Sequence, residues 1–136
     1  MTMRIVCFLA FTTLEPSCTW QLSKRLVAAQ ELNAIRGIGE IRQAEEAYIR
    51  SHGQAGSAVE LAIPQHVTGG YTFELTVDKN RYVIKATPEQ FGATGRRSFY
   101  ADESGIIHQS WDPEQPADSS SPSACGDPIE LTPKSR

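Results

Sequence analysis

An α+β fold is predicted, with one long N-terminal helix packed on a four-stranded antiparallel meander and followed by a disordered C-terminal tail. Three observations carry that reading. Apolar residues recur at steps of three and four from Gln21 to Ser51. Strict apolar/polar alternation then dominates Gly69 to Trp111. After Trp111 both periodicities vanish and proline and serine take over.

In the helical stretch Leu22, Leu26, Ala29, Leu32, Ile35, Ile38, Ile41, Ala44 and Tyr48 form the expected core stripe. Lys24, Arg25, Glu31, Arg36, Glu40, Arg42, Glu45, Glu46 and Arg50 are assigned to the wetter side. Thr19 or Ser23 is the candidate N-cap, and Ser51-His52-Gly53 the stop, with Gly53 in the left-handed conformation. Gly37 and Gly39 each cost roughly 1 kcal/mol against alanine in a helix. Close packing on the sheet, a kink or a subunit contact are the readings for them. Gln54 to Thr68 is a connector in which Val59–Ile63 makes one helical turn or a short strand before Pro64.

In the meander Tyr71, Phe73, Leu75 and Val77 alternate with Thr72, Glu74 and Thr76, and Tyr82, Ile84 and Ala86 alternate with Val83 and Lys85. Asp78-Lys79-Asn80 supplies the first turn. Arg97–Ala101 and Ile106–Trp111 make the second hairpin around Asp102-Glu103-Ser104-Gly105, with Gly105 closing it at positive φ. Tyr71, Tyr82, Phe99, Tyr100 and Trp111 are aromatic candidates for the core.

The chain has 136 residues, a one-domain length, read as a leader-like segment 1–19, a domain 20–111 and a tail 112–136. A net charge of −3 with scattered Lys and Arg argues against nucleic acid as a partner. No hydrolase elbow, zinc-protease helix or phosphate loop occurs, and His52, His66 and His108 have no ligand spacing. Asp102, Glu103 and Asp112 read as turn residues rather than a calcium loop. The expectation is therefore a protein that is not an enzyme, with no catalytic residues, cofactor, metal or small-molecule substrate. Cys18 and Cys125 are candidates for a disulfide in an oxidising compartment.

The segments GYTFEL, RYVIKATP and GATGRRSFYADESGIIHQSW resemble the C-terminal sheet of type IV pilin-like and type II secretion pseudopilin-like proteins. The matching positions are Gly70, Tyr71 and Phe73, then Tyr82, Ile84, Ala86 and Pro88, then Thr94, Gly95, Arg97, Phe99, Tyr100, Asp102, Gly105 and Ile107. The resemblance reaches back through the helix around Ala34 to Tyr48 and covers a little over half the chain. It implies a structural or assembly subunit of a bacterial cell envelope or surface, with other pilin-like subunits or pilus and secretion components as partners. Candidate subunit contacts are Arg36, Gly37, Gly39, Glu40 and Glu45.

The N-terminus departs from that pattern. Phe11-Thr12-Thr13-Leu14-Glu15 echoes the site cut by prepilin peptidases, making Ala10, Phe11 and Glu15 a candidate processing site, but Ala10 stands where glycine is usual. Pro16 to Trp20 replaces the expected long apolar helix, and Ile5–Phe11 falls short of the ~20 residues that span a bilayer. A misassigned start, a soluble accessory form and a degenerate remnant each account for this, and an unprocessed chain would be cytoplasmic. The alternative is a periplasmic ligand- or protein-binding module, which a concave apolar pocket among Tyr71, Tyr82 and Tyr100 would favour.

Overall fold

The computed structural model describes residues 17–63 and 69–124. Helix α1 (Ser17–His52) is followed by β1 (Tyr71–Asp78), β2 (Arg81–Pro88), β3 (Ser98–Asp102) and β4 (Ile107–Ser110). The strands lie in sequence order in one antiparallel sheet. The expected α+β class is the observed one. The candidate processing site at Ala10, Phe11 and Glu15 and the side chains of the Cys18–Cys125 pair lie outside the described residues. Among the described residues, no helix is long and apolar enough to cross a membrane.

The alternation fixes the sheet register. Leu75, Ile84, Ala101 and Ile107 form one cross-sheet row, and Phe73, Ala86, Phe99 and Gln109 the next, so the apolar side chains line up on one face. The first hairpin closes through Lys79-Asn80, where Lys79 takes φ 55°, and the second through Gly105 at φ 80°. Asp102 accepts the Ser104 N–H at 2.9 Å in an Asx turn, as its residue type suggests.

The helix starts earlier than its expected caps, so Thr19 and Ser23 are interior residues. It ends as expected at Gly53, whose N–H donates to the Ile49 carbonyl at 2.8 Å with φ 74°. Its buried stripe is Val27, Glu31, Ala34, Ile38, Ile41 and Glu45, at alternating steps of four and three. This corrects the sequence reading in two ways. Leu22, Leu26 and Leu32 are 71%, 59% and 50% exposed rather than in the core, while Glu31 and Glu45 are buried rather than solvated. The helix lies over β2 and β3.

Gly37 sits under Phe73, where a Cβ would lie 2.7 Å from the ring tip, whereas a Cβ on Gly39 would meet nothing within 4 Å. The close-packing reading therefore holds for Gly37. Gly39→Ala is expected to raise stability by about 1 kcal/mol through helix propensity alone. Gly37→Ala must displace the half-buried Phe73 ring and should lose most of that gain. Chemical denaturation of both variants checks the contrast.

Residues 112–124 are not the loose tail that composition suggests. The Gln109 N–H donates to the Pro122 carbonyl at 2.8 Å and the Ala124 N–H to the Ile107 carbonyl at 2.6 Å, laying this segment along β4. Ala117 is buried, its N–H donating at 2.8 Å to Oγ of the buried Ser98. The segment is held by turn chemistry: Asp118 Oδ1 accepts from the Ser120 N–H at 2.9 Å and from the hydroxyls of Ser120 and Ser121. The ordered domain thus extends past Trp111 to at least Ala124.

Candidate functional site

Helix and sheet are joined by polar ties that the helical periodicity conceals. Glu31 Oε2 accepts from Arg97 Nη2 at 2.7 Å and Nε at 3.0 Å, and Oε1 accepts from the Arg96 N–H at 2.8 Å. Three donors satisfy the buried carboxylate, so its desolvation is compensated. Arg97 also donates to Gln109 Oε1 at 2.8 Å, and its guanidinium carbon lies 5.3 and 5.2 Å from the ring centroids of Phe99 and Trp111. The Tyr71 hydroxyl donates at 2.7 Å to the Arg97 carbonyl, fixing the backbone beneath the pair. Further along, Arg42 Nη1 donates to the Gly105 carbonyl at 2.9 Å.

Glu45 makes the third tie. Its Oε2 accepts the Gly56 N–H at 3.0 Å, holding the connector against the helix, while Oε1 has no hydrogen-bond partner among the described residues. Burial pushes its pKa up; the Gly56 hydrogen bond opposes this and the nearby Glu60 charge adds to it. Next to it Ser57 and Glu60 form a reciprocal capping box, with 2.7 Å from the Ser57 N–H to Glu60 Oε2 and 3.3 Å from the Glu60 N–H to Ser57 Oγ. This box starts the single helical turn of the connector.

A carboxylate whose folded pKa is raised contributes stability below its ordinary titration range, and that contribution is lost as pH rises through the folded pKa. Glu60, Glu103 and Asp118 are shifted down, by hydrogen bonds from the Ser57 backbone, the Arg81 side chain and the Ser120 side chain respectively, and act oppositely at lower pH. As pH falls from neutral, stability is therefore expected first to rise, as Glu45 takes up its proton, and then to fall as Glu60, Glu103 and Asp118 do. In Glu45→Gln the rise should disappear, with stability at pH 7 higher by on the order of 1 kcal/mol. Denaturation midpoints across this range give the test.

Of the candidate subunit contacts, Arg36, Gly37 and Glu40 line one groove of about 560 Å³, with Asn33, Ile41 and Phe73 among its other walls. Gly39 lies near it on the helix but outside the lining. Glu45 is buried within its own chain and is not a surface contact, so an intersubunit ion pair through it is excluded. The aromatic candidates are divided. Tyr71, Tyr82 and Phe99 are buried in the core, Tyr100 lies on the opposite face of the sheet 5.9 Å from the His108 ring, and Trp111 is 62% exposed. Tyr71 and Tyr82 therefore face away from Tyr100, and the three do not converge on one cavity. Asp102 and Asp112 Oδ1 atoms accept backbone N–H groups of Ser104 and Glu114, and Glu103 pairs with Arg81 at 2.8 Å, so all three serve turns or surface pairing. No group of three or more His, Cys, Asp or Glu positioned for a metal occurs among the described residues.

Glu31 and Arg97 are the residues that matter most to this arrangement and that periodicity misplaces. The sequence signal available was weak: a glutamate at a buried helical step and an arginine opening a strand. No family model, curated protein or solved structure matches the chain.

Proposed function

We propose that the chain is a structural or assembly subunit of a bacterial cell envelope or surface, similar to type IV pilins and pseudopilins. The observation that carries this reading is the start of α1. Leu22 to Leu26 are all exposed, so this stretch of the helix offers Leu22, Leu26 and, further along, Leu32 to a neighbour. Three large apolar side chains on the exposed side of one helix are a surface that a neighbour can cover. The four-stranded meander at the other end of the helix supports the same reading, because it is the partner that the motif resemblance implies. The binding-module alternative is not favoured, since two of the three tyrosines it needs are core residues.

The experiment is intact mass and N-terminal sequencing of the protein recovered from its native envelope. A mature chain beginning at Phe11 with a methylated amine supports the proposal. A chain that keeps Met1, or one that begins near Cys18, overturns it.

A further inference from the structure

The two edges of the sheet are treated differently. The β4 edge is occupied by residues 121–124, through the Pro122 carbonyl, the Ala124 N–H and the bridge between His108 and Ser123. The β1 edge has no such cover: among the described residues, no segment pairs with its outer side. β1 is eight residues long, about 26 Å of unpaired backbone donors and acceptors. It has no proline, bulge or lysine between Tyr71 and Asp78, and its charged side chains are Glu74 and Asp78. Because α1 lies over β2 and β3, Phe73, Leu75 and Val77 are only half-buried beside the core.

We propose that β1 pairs antiparallel with β1 of a second copy of this chain, about a two-fold axis at Leu75, joining two four-stranded sheets into one. Residues directly opposite in an antiparallel pair share a face, so the choice of axis decides which side chains meet. With the axis at Leu75, Leu75 meets its own copy and Phe73 meets Val77 of the second copy. This extends both apolar rows across the junction. On the outer face Glu74 meets Thr76 and Thr72 meets Asp78, so each carboxylate faces a hydroxyl donor. Moving the axis one residue to Glu74 sets two carboxylates directly opposite, which is repulsive. The strand is thus self-complementary in one register and self-repelling in the next. This contact uses the sheet edge and is independent of the helix surface and of any pilin-like role.

Cross-linking of the full chain tests it, with Cys7, Cys18 and Cys125 replaced by serine in every variant. Glu74, Thr76 and Thr72 are exposed, so cysteine at these positions leaves the core untouched. A mixture of Glu74→Cys and Thr76→Cys is expected to give a disulfide-linked product of twice the chain mass. Neither variant alone should give it, while Leu75→Cys should do so by itself. Light scattering of the uncross-linked protein should show the same doubling. Cross-linking of Glu74→Cys with itself would overturn the proposed register, and a chain that stays at monomer mass with no cross-linked product would overturn the pairing.

Discussion

Replacing Glu31 by alanine is expected to cost about 3–5 kcal/mol of folding stability, the typical loss when one partner of a buried ion pair is removed. The loss has two parts. Arg97 is left only partly exposed, at 23% of its side chain, without its carboxylate, and the Arg96 N–H loses its acceptor. Arg97→Ala should cost a similar amount, because it strands the Glu31 carboxylate at 7% exposure. The double variant should cost clearly less than the sum of the two, since the second substitution removes the group that the first left uncompensated. The surface pair of Arg81 and Glu103 is the control. Its side chains are 80% and 39% exposed, and Glu103→Ala should change stability by less than about 1 kcal/mol. Urea denaturation of the three single variants and the double completes the cycle.

Gly95→Ala is expected to destabilise by about 3 kcal/mol, more than an exposed loop glycine ordinarily would. A Cβ at Gly95 would run into the hydroxyl end of Tyr71, whose ring is fully buried and has no room to retreat. Moving the ring also breaks the hydrogen bond from its hydroxyl to the Arg97 carbonyl and leaves that hydroxyl buried without an acceptor. Tyr71→Phe alone should cost about 1 kcal/mol. In combination with Gly95→Ala it removes the atom that clashes most, so the pair should be less damaging than the sum of its members. Thermal unfolding of the three variants distinguishes this steric account from a general intolerance of the loop.

These two sites mark where sequence reasoning succeeds and where it stops. The sheet was legible because period-two alternation, a short polar turn at Asp78-Lys79-Asn80 and Gly105 are local signals, and the register follows from keeping one face apolar; the structure narrows that turn to Lys79-Asn80. The helix was legible in extent but not in rotation. Two apolar phases overlap in it, one through Leu22, Leu26 and Ala29 and one through Val27, Ala34, Ile38 and Ile41. The second phase contains Glu31 and Glu45, which makes it look polar. Those glutamates face inward because Arg97 and the Gly56 amide receive them, 66 and 11 residues away along the chain. Helical periodicity contains no such partner. Gly95 was visible as a motif position, but its reason, the tyrosine tip beneath it, is a contact across the fold. The order of residues 112–124 escaped composition because it rests on backbone pairing with β4 and on serine and aspartate turns, neither of which needs apolar residues.

The exposed stretch of α1 from Leu22 to Leu26 also implies a gradient of local opening along a single helix. Between Ala34 and Glu45 a backbone amide is covered by the sheet, and it exchanges with solvent only when helix and sheet part together. Between Leu22 and Leu26 every side chain is exposed, and a turn there can unwind without opening the buried core. Protection against hydrogen exchange should therefore climb by orders of magnitude from one end of the helix to its middle. A neighbour that covers Leu22 and Leu26 would flatten that slope, giving each assembled copy a more uniformly protected helix than the isolated one.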